Sequence, residues 1–304
     1  MAVFLRRRRH IHIADKGRLL PFLIVLLLLA ATLVLLYLNL AMPMGQYTAG
    51  RFLPEHLTMY FSVGEDTGVP WYYLAAVDRA ENIPEKKVSQ KRTSSIALHL
   101  IGIRDPDELP HYLAGYKKSK FLPRKVKGQI GRFDDLRAIH DDKVFPLSPD
   151  TEYVYENGYG DSRTYGGKRN HEGIDIMTEV GIPVRSVCDG VIEQIGWNEL
   201  GGYRIGVRGG DHVYYYYAHL SRYEGKPKKG DRVKREQRIG YTGDTGYGPE
   251  GTSGKFEPHL HFGMYYGKGE DLEAFNPWPF LKAWEGGHPA DDPQQSSQGN
   301  NPGG

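Results

Sequence analysis

Cysteine is almost absent from this sequence. Cys188 is the one cysteine among 304 residues. An intrachain disulfide is therefore excluded, and so is a zinc site built from cysteines. Any metal ion held by this chain must be bound by His, Asp or Glu side chains.

A general excess of positive charge is also lacking. The formal net charge is +2, and the first 18 residues hold six of the 39 Lys and Arg but one of the 37 Asp and Glu. The rest of the chain therefore has 33 basic and 36 acidic residues. Because the surplus is confined to the N-terminus, we expect no nucleic-acid partner.

Charge is wholly absent from residues 19–38, LLPFLIVLLLLAATLVLLYL. About 20 apolar residues are enough for a helix to span the hydrocarbon core of a bilayer. The basic residues before this run predict a cytoplasmic N-terminus over 1–18, a single transmembrane anchor over 19–41 and an extracytoplasmic remainder. A cleaved signal peptide is the alternative, although its apolar core is usually only about 7–15 residues long. Both interpretations place the bulk of the protein outside the cytoplasm.

Two different patterns follow the apolar run. Residues 50–143 have apolar residues at helical spacing, as in PWYYLAAVDRAE, where Pro70 suits a helix start. Residues 144–284 are rich in Gly, Tyr and Val, with short alternating runs such as IPVRSVCDGVIEQIGW and GYRIGVRGGDHVYYYYAHL. We therefore predict a small α-helical extracytoplasmic domain and then a mainly β domain of sandwich or barrel type. The polar, Gly- and Pro-rich residues 285–304 predict a disordered tail.

Several histidines of the β region stand beside strand patterns. His171 precedes the strand GIDI, in which Asp175 points away from the face shared by Ile174 and Ile176. His219 ends the aromatic run YYYYAHL. Taken singly, each is also explained by an ordinary surface or core histidine.

The stretch FEPHLHFGMYY, residues 256–266, adds two more imidazoles. Residues i and i+2 of a strand share a face, so His259 and His261 point together while Leu260 and Phe262 fill the core. One Asp and three or four His suit a zinc site with three protein ligands and an open position, which is the arrangement of a catalytic zinc. Histidines that do not bind the metal can move protons.

The segments HEGID, YAHL, GYTGDTG and PHLHF, in this order, resemble the lysostaphin/LytM-type zinc endopeptidases, which cut peptide bonds in peptidoglycan. The resemblance covers roughly residues 144–284. It implies a peptidase domain built on an antiparallel sheet, LytM-like and of the duplicated-hybrid-motif type. The loop over residues 243–258 is longer than in many family members, which leaves the substrate preference open.

The resemblance also implies roles for individual residues. His171, Asp175 and His261 match the zinc ligands, so Zn²⁺ is the expected cofactor. His219 and His259 match the non-ligand pair that polarises the attacking water and stabilises the tetrahedral intermediate. Tyr165 corresponds to a tyrosine that adds a donor to the oxyanion, although Tyr159 is also nearby.

These patterns together predict a membrane-anchored zinc metalloendopeptidase that hydrolyses peptidoglycan peptides, with other cell-envelope proteins as further candidate partners. A non-catalytic wall-binding or scaffold protein on the same fold is the alternative. A third reading is a latent enzyme whose helical region blocks the cleft. Within that region, GVPWYYLAAVDRAEN faintly resembles the opening of lytic transglycosylases, with Glu81 as the acid, but the downstream segment expected of them is missing.

Overall fold

The computed structural model describes residues 25–30, 32, 54–164, 167–269 and 271–285. Its contacts divide the chain into two compact units, residues 1–44 and 45–304. In the first unit, residues 25–30 and 32 are helical. Among all the described residues, no helix combines the length and apolar character that a membrane crossing requires. Most of the predicted anchor over 19–41, and the predicted tail after Glu285, lie outside the described residues.

Helices occupy the chain from residue 54 to residue 140, joined by short turns. They are α1 (Pro54–Thr67), α2 (Trp71–Ala80), α3 (Gln90–Leu100), α4 (Leu109–Tyr116), α5 (Leu122–Ile130) and α6 (Asp134–His140). Pro70 is the N-cap residue of α2, as predicted. Proline suits this place because its fixed φ is compatible with a helix start and its missing N–H would have no helical partner there.

Short strands follow from residue 162 to residue 275. A last helix, α7 (Trp278–Glu285), comes after them and ends at the last described residue. The strands are β1 (Ser162–Arg163), β2 (Arg169–Asn170), β3 (Ile174–Met177), β4 (Pro183–Arg185), β5 (Gly190–Asn198), β6 (Gly202–Gly209), β7 (Tyr214–Leu220), β8 (Arg222–Tyr223), β9 (Arg232–Val233), β10 (Arg238–Tyr241), β11 (His259–Tyr266) and β12 (Glu273–Phe275).

The strands form one large sheet and two small ones, with antiparallel pairing throughout the described strands. The large sheet has the order β12-β11-β7-β6-β5-β9, and β3 pairs with the first half of β11. A three-stranded sheet has the order β4-β10-β8, and β1 with β2 forms a separate hairpin. The predicted mainly β fold, antiparallel and preceded by helices, is thereby confirmed.

Side-chain alternation on β11 separates the core from a cleft. Leu260 and Phe262 are fully buried, and Phe262 packs edge-on to Tyr217 of β7 at a ring distance of 5.4 Å. His259 and His261 take the intervening positions and therefore leave the opposite face of the strand. With Leu260 and Phe262 in the core, this alternation places both imidazoles on the same side of β11.

Helix α7 joins the helices to the sheet. Its Phe280 lies 5.7 Å from Phe61 of α1, while its Trp284 lies 6.3 Å from Phe262 of β11. The Trp284 indole also donates a hydrogen bond to the carbonyl oxygen of His140, at 3.1 Å. The apolar residues of the helices and of the sheet consequently form one continuous core.

Candidate active site

Strand pairing brings the candidate ligands together. In the β3–β11 pair, Asp175 is directly opposite His261. Directly opposite residues of an antiparallel pair have neighbouring side chains on the same face. His171 stands four residues before Asp175, on the segment between β2 and β3, and is buried. The strand register therefore determines which side chains meet.

Three ligand atoms converge at this point. His171 Nε2 lies 3.0 Å from Asp175 Oδ1 and 3.0 Å from His261 Nδ1, and His261 Nδ1 lies 2.9 Å from the same Asp175 oxygen. Two imidazole nitrogens and a carboxylate oxygen are hard-to-borderline donors that suit Zn²⁺. Their lone pairs would repel one another at these distances, so the cluster favours a shared cation. The residues present therefore fit a zinc ion.

The outer nitrogen of His171 has two neighbours that demand opposite tautomers. Nδ1 lies 2.8 Å from the Gly158 carbonyl oxygen and 2.8 Å from a terminal nitrogen of Arg163. The arginine can only donate, whereas the carbonyl can only accept. Donation of Nδ1–H to Gly158 leaves the Nε2 lone pair directed at Asp175 and His261, as a metal ligand requires.

Asp175 is the charged centre of the cluster. Burial disfavours its ionised form, but the adjoining imidazoles of His171 and His261 outweigh burial and lower the pKa of Asp175. Arg163 donates to its second oxygen, Oδ2, at 2.7 Å. The carboxylate is thus ionised at neutral pH, with Oδ1 directed at the histidines and Oδ2 held by an arginine.

Two further histidines lie beside this cluster without joining it. The rings of His219 and His259 are 4.7 Å apart, and His259 Nε2 lies 3.7 Å from Asp175 Oδ1. His219 Nδ1 lies 2.7 Å from the carbonyl oxygen of Thr245, and His259 Nδ1 lies 2.7 Å from that of Glu257. Because a carbonyl needs a donor, the neutral form of each ring has its proton on Nδ1 and its lone pair on Nε2.

His219 has an unusual pKa and an unusual backbone conformation. Burial, and then the neighbouring His259 and His261, lower the pKa of His219 to about 3, so the ring is neutral at physiological pH. Its backbone is left-handed, with φ of 61°. A residue with a side chain incurs roughly 1–2 kcal/mol in that region. Tyr247, whose ring is 6.0 Å away, has φ of 58°. Such strain often accompanies functional positions.

The clustered side chains line a cleft of about 440 Å³. Its walls include His171, Asp175, His219, His259 and His261. All of its lining residues lie between positions 163 and 265, so no described residue of α1–α6 enters it. The latent-enzyme reading, in which the helical region blocks the cleft, therefore has no support among the described residues.

The remaining predicted residues have different positions. Tyr165 lies outside the described residues. The hydroxyl of Tyr159 donates to the carbonyl oxygen of Ala274, at 2.9 Å, and this tyrosine does not line the cleft.

Sequence reasoning overlooked Arg163, Arg169, Tyr247 and Phe256, all of which line the cleft. Arg169 stands two residues before His171, and that proximity is the one sequence signal that would have drawn attention to it.

Comparison with known families gives a match over much of the β region. The model of Peptidase family M23 matches residues 169–277. That range contains His171, Asp175, His219, His259 and His261, and excludes Tyr165.

Individual proteins are also similar to this chain. The L-Ala--D-Glu endopeptidase of Bacillus subtilis (strain 168) is 33% identical over 315 residues, covering 85% of this chain and 97% of that protein. The glycyl-glycine endopeptidase ALE-1 of Staphylococcus capitis is 40% identical over 137 residues, covering 42% of this chain and 34% of that protein. A crystal structure named for a glycyl-glycine endopeptidase lytM from Ruminococcus gnavus ATCC 29149 is 32% identical, with a TM-score of 0.49, covering 69% of this chain and 96% of that one. Because the Bacillus protein aligns over 85% of this chain, its similarity extends beyond the β region.

Proposed function

The chain belongs to peptidase family M23, and from this premise we propose that it is a zinc metalloendopeptidase that hydrolyses peptide bonds in peptidoglycan. The observation that carries the proposal is the convergence of His171, Asp175 and His261 beside two further histidines with available Nε2 atoms. A structural zinc site would normally have four protein ligands, whereas these three leave a position open to the cleft.

His171 Nε2, Asp175 Oδ1 and His261 Nδ1 are the proposed ligands. When bound there, zinc supplies Lewis acidity, which polarises the scissile carbonyl and lowers the pKa of water to about 7. Gly158 and Arg163 hold the ligands from outside by their contacts to His171 Nδ1 and Asp175 Oδ2. Such outer contacts orient the ligand atoms before the metal arrives.

His219 and His259 are the proposed proton-handling residues. Each anchors Nδ1–H on a backbone carbonyl, so each presents Nε2 as an acceptor. One accepts the proton of the attacking water as a general base, and in its protonated form it can return that proton to the leaving nitrogen. The other uses its Nε2 to accept a hydrogen bond from the O–H that remains on the added water oxygen, and so stabilises the tetrahedral intermediate. Tyr165 remains a proposed additional oxyanion donor.

Two histidine variants test these roles. We expect His171→Ala to lose bound zinc and hydrolysis together, because it removes a ligand. We expect His259→Ala to retain zinc and to lose about 100-fold or more in kcat, since general acid–base catalysis usually contributes about 10²–10⁴-fold. Metal analysis of each purified variant, with kinetics on soluble peptidoglycan fragments, is the measurement. Full activity of His259→Ala would overturn its assignment.

The bond that is cut is proposed from the Bacillus relative. That protein is named an L-Ala--D-Glu endopeptidase and matches 85% of this chain, so we assign the same alanyl–glutamyl bond here. Digestion of purified peptidoglycan, with and without a chelator, followed by mass analysis of the released ends, tests the assignment. New N-terminal glutamate is expected, and only without chelator. New N-terminal glycine would instead indicate a bond of the kind named for ALE-1.

The location of the enzyme is a proposal from sequence. Residues 19–38 carry no charge and follow a basic segment, which supports an uncleaved anchor with the catalytic region outside the cytoplasm. The full-length chain should stay with the membrane fraction after alkaline carbonate extraction and keep its original N-terminus. Release into solution with a new N-terminus after residue 38 would identify a cleaved signal peptide.

A further inference from the structure

The cleft contains two arginines that differ in their partners. Arg163 and Arg169 are directly opposite in the β1–β2 hairpin. Arg163 bonds the Asp175 carboxylate at 2.7 Å and lies 2.8 Å from His171 Nδ1. Arg169 donates a hydrogen bond to the hydroxyl of Tyr247, at 3.4 Å. Arg163 is therefore committed to the ligand cluster, whereas Arg169 is not.

Arg169 has no acidic partner within the part of the chain that the structure describes. Its Nε is buried, and no described residue accepts a hydrogen bond from it. Glu172, an exposed acid on the same cleft, forms no ion pair with it. A guanidinium stays charged at any physiological pH, and a buried N–H without an acceptor is costly. A half-buried cation on a substrate cleft, without an acidic partner among the described residues, favours an anionic group on the ligand.

The substrate of the proposed function has such a group. Glutamate has two carboxyl groups, so within a peptide it retains one after the other is used in the chain. In an alanyl–glutamyl bond this free carboxylate belongs to the residue that supplies the scissile nitrogen, and it lies a few bonds from that atom. Arg169 is two residues from the ligand His171, and both side chains line the cleft. Two residues of extended chain span at most about 7 Å between Cα atoms, so a peptide bound in the cleft can contact both side chains.

We propose that Arg169 binds the free carboxylate of the glutamate on the leaving side of the scissile bond, which makes the enzyme selective for the acid form over the carboxamide form of that residue. The inference rests on the proposed function. The planar guanidinium fork matches both oxygens of a carboxylate, and a carboxamide presents one acceptor and one unfavourable donor instead. Arg169 is thus a substrate-binding residue that does not act on the reacting atoms.

Two synthetic peptides test this. One contains L-Ala–D-Glu with its free carboxyl, and the other is identical except that this carboxyl is a carboxamide. The full-length wild-type enzyme should cleave the acid peptide with a kcat/KM roughly 10- to 100-fold higher, as expected for a hydrogen-bonded charge pair. Arg169→Gln should reduce the acid-to-amide ratio to about 1 by lowering kcat/KM on the acid peptide alone, and Arg169→Lys should keep part of the preference.

Matched controls separate binding from folding. Lys168→Gln removes an exposed charge from the neighbouring residue, and it should leave the ratio unchanged. Zinc content and unchanged cleavage of the amide peptide establish that Arg169→Gln is folded. The acid-to-amide ratio of kcat/KM for the wild-type enzyme tests the proposed selectivity even if the Arg169 variants fail to fold.

The outcomes are distinguishable. Equal cleavage of the two peptides by the wild type, or an unchanged ratio in Arg169→Gln, overturns the inference and leaves the proposed function intact. If the wild type cleaves neither peptide but still digests peptidoglycan at another bond, the assigned bond is wrong and the inference falls with it.

Discussion

At the scale of single residues, the site depends on a glycine as well as on its metal ligands. Gly173 lies between His171 and Asp175 in the sequence HEGID. A Cβ at this position would stand 2.7 Å from His261 Nε2 and 2.6 Å from the backbone oxygen of Phe262. Both distances are shorter than van der Waals contact, and the second is to a backbone atom, which cannot rotate away as a side chain can. Gly173 therefore allows β11 to bring His261 up to the other two ligands.

We expect Gly173→Ala to displace the His261 ring and to weaken zinc binding, with hydrolysis falling in parallel. A misplaced ligand group generally costs about 10- to 100-fold in metal affinity or activity. Titration with a competing chelator measures the affinity, and added zinc should restore part of the activity.

Gly128→Ala is the matched control. Gly128 lies within α5 with nothing within 4 Å of an added Cβ, so the same substitution there should leave zinc affinity unchanged. It should raise the free energy of unfolding by roughly 0.5–1 kcal/mol because alanine favours the helix. Equal zinc affinity in the two variants would show that Gly173 has no steric role.

At the scale of elements, a buried charge cluster connects three helices. Glu81 follows α2 and accepts hydrogen bonds from Arg92 of α3 at 2.6 Å, from Tyr116 of α4 at 2.9 Å and from Lys117 at 2.6 Å. Burial alone would raise its pKa, but these donors outweigh burial and lower the pKa of Glu81. A general acid must be protonated at working pH, so this arrangement favours a structural role over a transglycosylase acid.

The lowered pKa gives a prediction about acid stability. A carboxylate whose pKa is lower in the folded state stabilises the fold above its unfolded pKa, about 4.3, and this stabilisation disappears as the pH falls through the lowered value. We therefore expect Glu81→Gln to lower the free energy of unfolding by about 2 kcal/mol at pH 7. The difference from wild type should shrink steadily below a pH of about 4. Urea unfolding at neutral and acidic pH measures both effects.

Glu85→Gln is a control from the adjoining turn. Glu85 is exposed, so its replacement should change the free energy of unfolding by less than about 0.5 kcal/mol at either pH. A Glu81→Gln variant as stable as Glu85→Gln at pH 7 would show that the three helices do not depend on this carboxylate.

At the scale of the whole molecule, the described residues between 54 and 285 share one apolar core. Phe61 of the helices and Phe262 of the sheet both pack against α7, through Phe280 and Trp284. Neither layer can separate without exposing apolar surface of the other, which costs roughly 25 cal/mol per Å². The helical region is therefore part of the support of the peptidase sheet, on the side of β11 away from the cleft.

A shared core predicts a single unfolding transition. During denaturation with urea, the loss of the helical circular dichroism signal and the change in tryptophan fluorescence should have the same midpoint and slope, because the helices and the sheet unfold together. A helical signal that disappears at a clearly lower urea concentration, with the sheet and bound zinc retained, would mean that the two layers are independent domains.

The local sequence pattern was enough to predict the side-chain directions on β11. Period-two alternation placed His259 and His261 on the face opposite Leu260 and Phe262, and the structure has that arrangement. It could not supply the pairing of β3 with β11, because strand register depends on contacts between segments far apart in the chain. The convergence of His171 with His261 was for that reason predicted from family resemblance and not from the residues alone.

Other features had no local signature. The helical spacing predicted α2 with its start after Pro70. That boundary was predictable because proline favours the first positions of a helix. Nothing in the sequence showed that α7 would connect the helices to the sheet, since Phe280 and Trp284 are apolar residues like many others. The sequence also could not predict that Arg163 and Arg169 have different partners. They occupy opposite positions of one hairpin, and their partners lie on other segments of the chain.

The sequence by itself determined the chemistry available to this protein. With a single cysteine it left His, Asp and Glu as metal ligands, and its strand pattern directed two of the histidines to one face. The tertiary structure alone decided which atoms meet: Asp175 opposite His261, the two outer histidines held by carbonyl oxygens, and one arginine left without an acidic partner among the described residues. The physical reason is that composition and periodicity act within a segment, whereas distances between segments are set by how they pack around a common core.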